Sequence, residues 1–208
     1  MKKNTTILVA FFCLTFLRSC SEETVEAIIP STIETISSPT KTVFKEEDPI
    51  VEYLSITGYN QFELPCGNIN DSFEIGFIFY PLKNGSINAL TVRTIDAKTN
   101  VVITIWDATS KTKIRTEDVL VSTANTVISK NISALSLVKN KKYAITVYTN
   151  SYYIRHAAEW AQPNYPMTCG NIKIIAAIMG GANSNQYPET STSNFQNGDC
   201  SFKFMPTN

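Results

Sequence analysis

Hydrophobic and polar positions change character along the chain. Residues 7–17, from Ile7 to Leu17, form one apolar run behind the positive start Met1-Lys2-Lys3. Residues 21–52 show short apolar pairs such as Ile28-Ile29 but no sustained helical or strand period. From Tyr53 to Asn208, short runs of Val, Ile, Thr, Phe and Tyr are separated by Asn, Gly, Ser and Lys, the pattern of half-buried strands joined by turns. Phe73, Ile75, Phe77 and Phe79 alternate with Glu74, Gly76, Ile78 and Tyr80, so one face of that strand is strongly apolar, and Asn84-Gly85 marks the turn after it. The other strand candidates are Ser86 to Arg93, Val101 to Trp106, Lys113 to Val119, Thr126 to Ile132, Lys142 to Thr149, Ile172 to Met179 and Ser201 to Met205. These runs predict an all-β domain, a two-sheet antiparallel β-sandwich, jelly-roll-like, with few helices. Tyr143, Ile145 and Val147 share one strand face and are expected in the core, as is Trp106.

The amino end reads as a targeting segment, because its apolar run is too short to span a bilayer comfortably and follows a basic start. Leu17-Arg18-Ser19-Cys20 resembles the bacterial lipobox, with Leu three residues before the Cys and Arg where a small residue is usual. That resemblance implies cleavage before Cys20 and lipidation of its thiol, with several acyl chains giving a lasting membrane anchor. The expected organisation is a lipoprotein signal peptide at 1–19, the lipidated Cys20 with a flexible acidic tether at 20–52, and the β-sandwich domain at 53–208. Ser21-Glu22-Glu23 resembles the acidic tag that sends Bacteroidota-type lipoproteins to the outer face of the outer membrane; solvated linker acids are the plainer reading. The expected location is the bacterial outer membrane.

Charge changes the picture only in its distribution. The whole chain balances 18 Lys and Arg against 18 Asp and Glu, yet residues 21–52 hold eight acids and two bases while 53–208 hold thirteen bases and ten acids. So weakly basic a domain gives no polyelectrolyte signal for nucleic acid.

Glu74-Ile75-Gly76-Phe77-Ile78-Phe79 with Gly85-Ser86-Ile87, Ile103-Thr104-Ile105-Trp106-Asp107, Lys141-Lys142-Tyr143, Tyr187-Pro188-Glu189-Thr190 and Ser201-Phe202-Lys203-Phe204 are spread over about residues 70–206. Together these motifs resemble domain of unknown function 4082. Ala108-Thr109-Ser110 stands where that family usually has Gly after the Trp-Asp pair, and its customary Asp is missing from the last strand. The resemblance implies a β-sandwich of bacterial secreted and surface proteins with a noncatalytic accessory or binding role, and it transfers no functional residues.

Catalytic signatures are sparse. His156 is the single histidine, and there is no Gly-x-Ser-x-Gly elbow, phosphate-binding Gly-rich loop, EF-hand or zinc protease motif. No catalytic residue, cofactor or metal is therefore expected. Once Cys13 is cleaved away and Cys20 is acylated, Cys66, Cys169 and Cys200 remain as disulfide candidates or inert thiols. The sequence does not choose among their pairings. Cys66-Gly67-Asn68-Ile69 and Cys169-Gly170-Asn171-Ile172 repeat one tetrapeptide.

Two long stretches, Asn150 to Thr168 and Gly180 to Asp199, are read as loops, and long loops on a sandwich commonly carry binding. The first holds Tyr152, Tyr153, Arg155, His156, Trp160 and Tyr165. Flat rings stack on the apolar faces of sugars while planar polar side chains bond hydroxyls, so this composition suits glycan. It equally suits a protein partner, or a segment that caps the core with its rings. The expected function is a noncatalytic, lipid-anchored binding protein recognising glycan through this aromatic loop; the alternative is an accessory subunit of an outer-membrane protein complex.

Overall fold

The computed structural model describes residues 44–57, 63–66, 70–156 and 165–207. The described residues are all-β and sandwich-like, with one short helix among them. In chain order the elements are α1 (Pro49–Thr57), β1 (Glu63–Cys66), β2 (Phe73–Pro81), β3 (Gly85–Arg93), β4 (Lys98–Asp107), β5 (Thr112–Val121), β6 (Ile128–Leu137), β7 (Tyr143–Thr149), β8 (Tyr152–His156), β9 (Met167–Cys169), β10 (Ile172–Met179), β11 (Thr190–Thr192), β12 (Phe195–Asn197) and β13 (Asp199–Pro206).

Among the described residues the strands form three sheets where two were expected. A seven-stranded sheet runs β11-β10-β2-β7-β4-β5, with β9 also paired to β10; smaller sheets run β13-β3-β6 and β1-β8-β12. The alternation that made β2 legible is what packs the layers together. Ile75, Phe77 and Phe79 are buried, and Phe202 of β13 lies 6.3 Å from the Phe77 ring and 4.7 Å from Phe79. Tyr143, Ile145 and Val147 of β7 are buried in the same core, as expected. The open side between β5 and β6 is bridged by side chains: Arg115 bonds the Ser133 carbonyl and hydroxyl, and Lys130 reaches Glu117 and the Asp118 carbonyl.

Gly76 sets how closely β2 and β7 approach, since a Cβ there would sit 1.9 Å from the Ile145 carbonyl oxygen. Gly198, at φ 73°, turns the chain from β12 into β13 and thereby joins the two small sheets.

The domain starts earlier than the expected boundary at Tyr53, which falls inside α1. Glu47 exchanges backbone hydrogen bonds with Phe204, and its carboxylate accepts from the Asn171 backbone and side-chain N–H groups in the β9–β10 turn. Asp48 caps α1 by accepting from Val51 N–H, Pro49 opens the helix and Glu52 lies in its first turn. Ile50 and Tyr53 then bury one face of α1 against the domain. Residues 44–52 are thus part of the fold rather than of the tether; the remainder of the expected tether, the signal peptide and Cys20 lie outside the described residues. Among the described residues no helix is long and apolar enough to cross a membrane.

Candidate functional site

The described part of the aromatic stretch is largely strand, not loop. Tyr152 to His156 form β8, paired with β1 on one side and β12 on the other. Both flanks and both faces of β8 are occupied, so its rings serve packing. Tyr152 is buried edge-on to Phe73 at 6.4 Å, and Tyr153 is buried with its hydroxyl bonded to Asn125. Tyr165 stacks on Tyr53 at 5.4 Å and donates to Gln196. Tyr152 belongs to the core and Tyr165 packs against it, whereas Tyr153 is buried outside that cluster, so Tyr152 and Tyr153 offer no open ring face of the kind expected of a ligand platform. His156 is half-buried opposite Phe195 at the end of β8. Trp160 lies outside the described residues.

Arg155 belongs to a different site from the one expected. Its guanidinium grips Asp199 twice, Nε on Oδ1 and Nη2 on Oδ2, each at 2.5 Å. Arg93 Nε donates to Oδ2 of the same carboxylate at 2.8 Å. Tyr153 lies against both cations, its ring centre 4.2 Å from the Arg93 guanidinium and 5.6 Å from that of Arg155. One carboxylate and two guanidiniums therefore tie β8 to β3 and β13, across the boundary between the small sheets.

This cluster forms the floor of a groove of about 310 Å³ between α1 and the β13-β3-β6 sheet. Arg93, Arg155, Asp199 and Asn125 supply planar polar groups, while Ile50, Val51, Leu54 and Val127 supply an apolar wall. Asp48 and Ser201 close one end, where the Ser201 hydroxyl donates to Asp48 at 2.6 Å and Lys203 pairs with the other Asp48 oxygen at 3.2 Å. The groove is at the small end of the range for ligand sites, roughly 300–1,000 Å³. Both of its carboxylates are held by cations, an arrangement suited to positioning a ligand's hydroxyls. Sequence reasoning named only Arg155 of this set. The pairing partners are 106 and 44 residues apart, so no local pattern joins them; Asp48-Pro49 with Glu52 was a readable helix start.

Of the two alternatives for the described cysteines, disulfide partners or inert thiols, the structure has all three as free thiols. Cys66 ends β1 opposite Tyr152, Cys169 ends β9, and Cys200 is the second residue of β13, with its Sγ toward the Ile75 carbonyl. Burial pushes all three thiols up, Cys169 to about 12, which disfavours the nucleophilic thiolate. Cys169-Gly170-Asn171-Ile172 is the β9–β10 hairpin, with Gly170 at φ 56°. Among the described residues no group of three or more His, Cys, Asp or Glu side chains could hold a metal ion.

Asp107 organises the turn that follows β4. Its Oδ1 accepts from Thr109 and Ser110 N–H and its Oδ2 pairs with Lys141 at 2.9 Å, and these bonds, that from Lys141 foremost, hold its carboxyl down at about 2. Trp106 is buried as expected, but on the outward face of the seven-stranded sheet, with Ala144 and Ile178. No protein-family model matches this chain, and no curated protein matches it either.

Proposed function

We propose that this is a noncatalytic binding lipoprotein, anchored in the bacterial outer membrane through Cys20, that recognises glycan at the groove between α1 and the β13-β3-β6 sheet. The observation that carries this reading is the groove's composition. Two guanidiniums, a carboxylate and a carboxamide lie on its floor beside a wall of aliphatic side chains. Sugars present hydroxyls and apolar C–H faces together, and such a mixed lining answers both. The lipobox resemblance at Leu17 to Cys20 supports the anchor, and the motif resemblance to domain of unknown function 4082 supports a noncatalytic role.

A glycan array probed with the full chain in detergent tests the ligand. Val127→Glu, at a rim position 61% exposed, places charge and bulk at the groove mouth without touching the core. It is expected to weaken binding at least tenfold, about 1.4 kcal/mol, with an unchanged unfolding midpoint. The anchor has its own readout: Cys20→Ser is expected to move the chain out of the detergent-extracted membrane fraction, and a variant that stays there overturns the lipid reading.

A second reading, an accessory subunit, is favoured by apolar residues that α1 turns outward, Val51 at 63% and Ile56 at 55% exposure. Silence across the array, with a membrane partner retained by the native chain and lost in Ile56→Glu, would decide for it.

A further inference from the structure

The outward face of the seven-stranded sheet carries a buried acid that the groove does not use. Glu74 of β2 is fully buried, and its Oε2 meets no hydrogen-bond partner among the described residues. Its other oxygen, Oε1, shares a hydrogen bond with the Thr146 hydroxyl of β7, and Thr146 Oγ accepts from the Trp106 indole N–H at 2.7 Å. Thr146 Oγ also lies 3.4 Å from the Thr104 carbonyl. A hydroxyl has one hydrogen to give. With a neutral carboxyl the Glu74 O–H donates to Thr146 and Thr146 is free to donate to Thr104, leaving only an uncharged carbonyl oxygen, Oε2, without a donor. With an ionised carboxylate the Thr146 hydrogen must turn to Glu74, and a buried negative charge is left with one oxygen unsatisfied, which is costly.

The residues after β10 cover this chain of groups. Gly180 N–H donates to the Glu74 carbonyl at 2.8 Å, and Asn183 bonds Ser72 through its backbone N–H and its side-chain oxygen. Asn183 Nδ2 also reaches Asp71, Asn185 accepts from Lys113 at 2.8 Å, and Tyr187 sits edge-on to Trp106 at 5.7 Å. Glu189 pairs with Lys111 at the far end. We infer that Glu74, Thr146 and Trp106 form a proton-operated latch, and that loss of the Glu74 proton frees residues 181–189 to lift away and uncover Trp106 and Tyr187.

The charged and titratable groups around Glu74 make Lys113 the responding partner. From β5 come Lys113, 5.2 Å above the Trp106 ring, and Asp118, three strands away in the same cross-strand row. From β7 comes Tyr148, directly opposite Glu74; Cys200 of β13 lies on the core side and Asp71 just ahead of β2. Lys113 is the cation among them that bears on Glu74, and it is already spent on Asn185 of the covering segment. An ionised Glu74 draws Lys113 away from Asn185 and so removes one fastening of the cover. Burial pushes the Glu74 carboxyl up to about 7, against the Thr146 hydrogen bond and the Lys113 charge, which pull it down. The latch thus works near neutral pH. It shares no residue with the groove and stands whether or not the glycan reading does.

Hydrogen exchange on the full chain between pH 5 and 9, corrected for intrinsic rates, tests the latch. Peptides covering 181–189 are expected to lose protection at least tenfold across a step near pH 7, while those of β3 and β13 keep theirs. Glu74→Gln is expected to abolish the step. In a Trp160→Phe background Trp106 is the single remaining tryptophan, and its emission is expected to shift red with the same midpoint. Lys113→Met, at an exposed position, keeps the test open if Glu74→Gln fails to fold: it removes the Asn185 fastening, so 181–189 are expected to be less protected at every pH, and it removes a charge that lowers the carboxyl, so the remaining step is expected at higher pH. Protection of 181–189 that does not change with pH, a step that persists in Glu74→Gln, or a midpoint unmoved by Lys113→Met overturns the inference.

Discussion

Asp199→Asn is expected to destabilise the protein by about 3–5 kcal/mol, measured as a fall in the denaturation midpoint at unchanged slope. Asp199 and Arg155 are nearly buried, their side chains 8% and 4% exposed, and the carboxylate is the shared counter-charge of Arg155 and Arg93. Asparagine keeps the size of the side chain but leaves two guanidiniums near one ring without the charge that holds them together. The damage is also architectural. Asp199 follows the Gly198 turn, so its ion pairs and the Gly198 N–H bond to the Tyr153 carbonyl fasten β8 to the start of β13. An internal control comes from the Lys111–Glu189 pair, whose side chains are 51% and 71% exposed; water screens it, and Glu189→Gln should cost under about 1 kcal/mol. If Asp199→Asn costs no more than that control, the cluster is not what joins the small sheets. The same substitution would also unsettle the groove floor, so a binding loss in Asp199→Asn carries weight only beside Val127→Glu.

The central strands of the main sheet and β13 were legible because each carries an apolar run: β2, β4, β7, β10 and β13 fall on alternating or continuous Val, Ile, Phe and Tyr. β3, β5 and β6 are more mixed, and their scattered β-branched residues between turn signals were what marked them. β8 was hidden for a physical reason. Tyr152 to His156 is covered on both faces, and a charged residue inside it is buried by pairing with Asp199, so neither alternation nor a plain apolar run marks it. The same holds for β1, β9, β11 and β12, which have three or four residues each and leave no period to read. The acidic, Pro-containing segment before Tyr53 concealed α1, although Asp48-Pro49 spelled its start. The aromatic composition of 150–168 was real, but composition does not say which way rings face: Tyr152 faces the core, Tyr165 packs against it and Tyr153 lies against the Arg93 and Arg155 guanidiniums, and the groove beside them is built from Arg93, Asn125 and Asp199, which only folding brings together. Glu74 did carry a local signal, an acid among Phe, Ile and Gly in a strand. On a half-solvated sheet such an acid faces water; here the covering residues 181–189 put it inside.

That burial has a thermodynamic consequence whose sign is fixed. In the unfolded chain the Glu74 carboxyl titrates near 4.5, and in the folded protein at about 7. The folded state therefore holds its proton more tightly, and stability contributed by the neutral carboxyl is intact below pH 4.5 and lost as pH rises toward 7. The full difference is worth about 3 kcal/mol, at 1.36 kcal/mol per pH unit. Glu74→Gln keeps a carbonyl that accepts from Thr146 and cannot ionise, so its stability relative to the native chain is expected to grow by about 3 kcal/mol between pH 4 and pH 8. Denaturant titrations of both proteins at the two pH values measure this directly, and an advantage that is constant or shrinks with pH would show that Glu74 ionises as freely folded as unfolded. The latch sets a ceiling on the growth. If residues 181–189 lift before the whole fold gives way, water reaches the carboxylate and the loss stops at the free energy of that local opening. A plateau below 3 kcal/mol that matches the opening energy from hydrogen exchange of 181–189 would identify the two as one event.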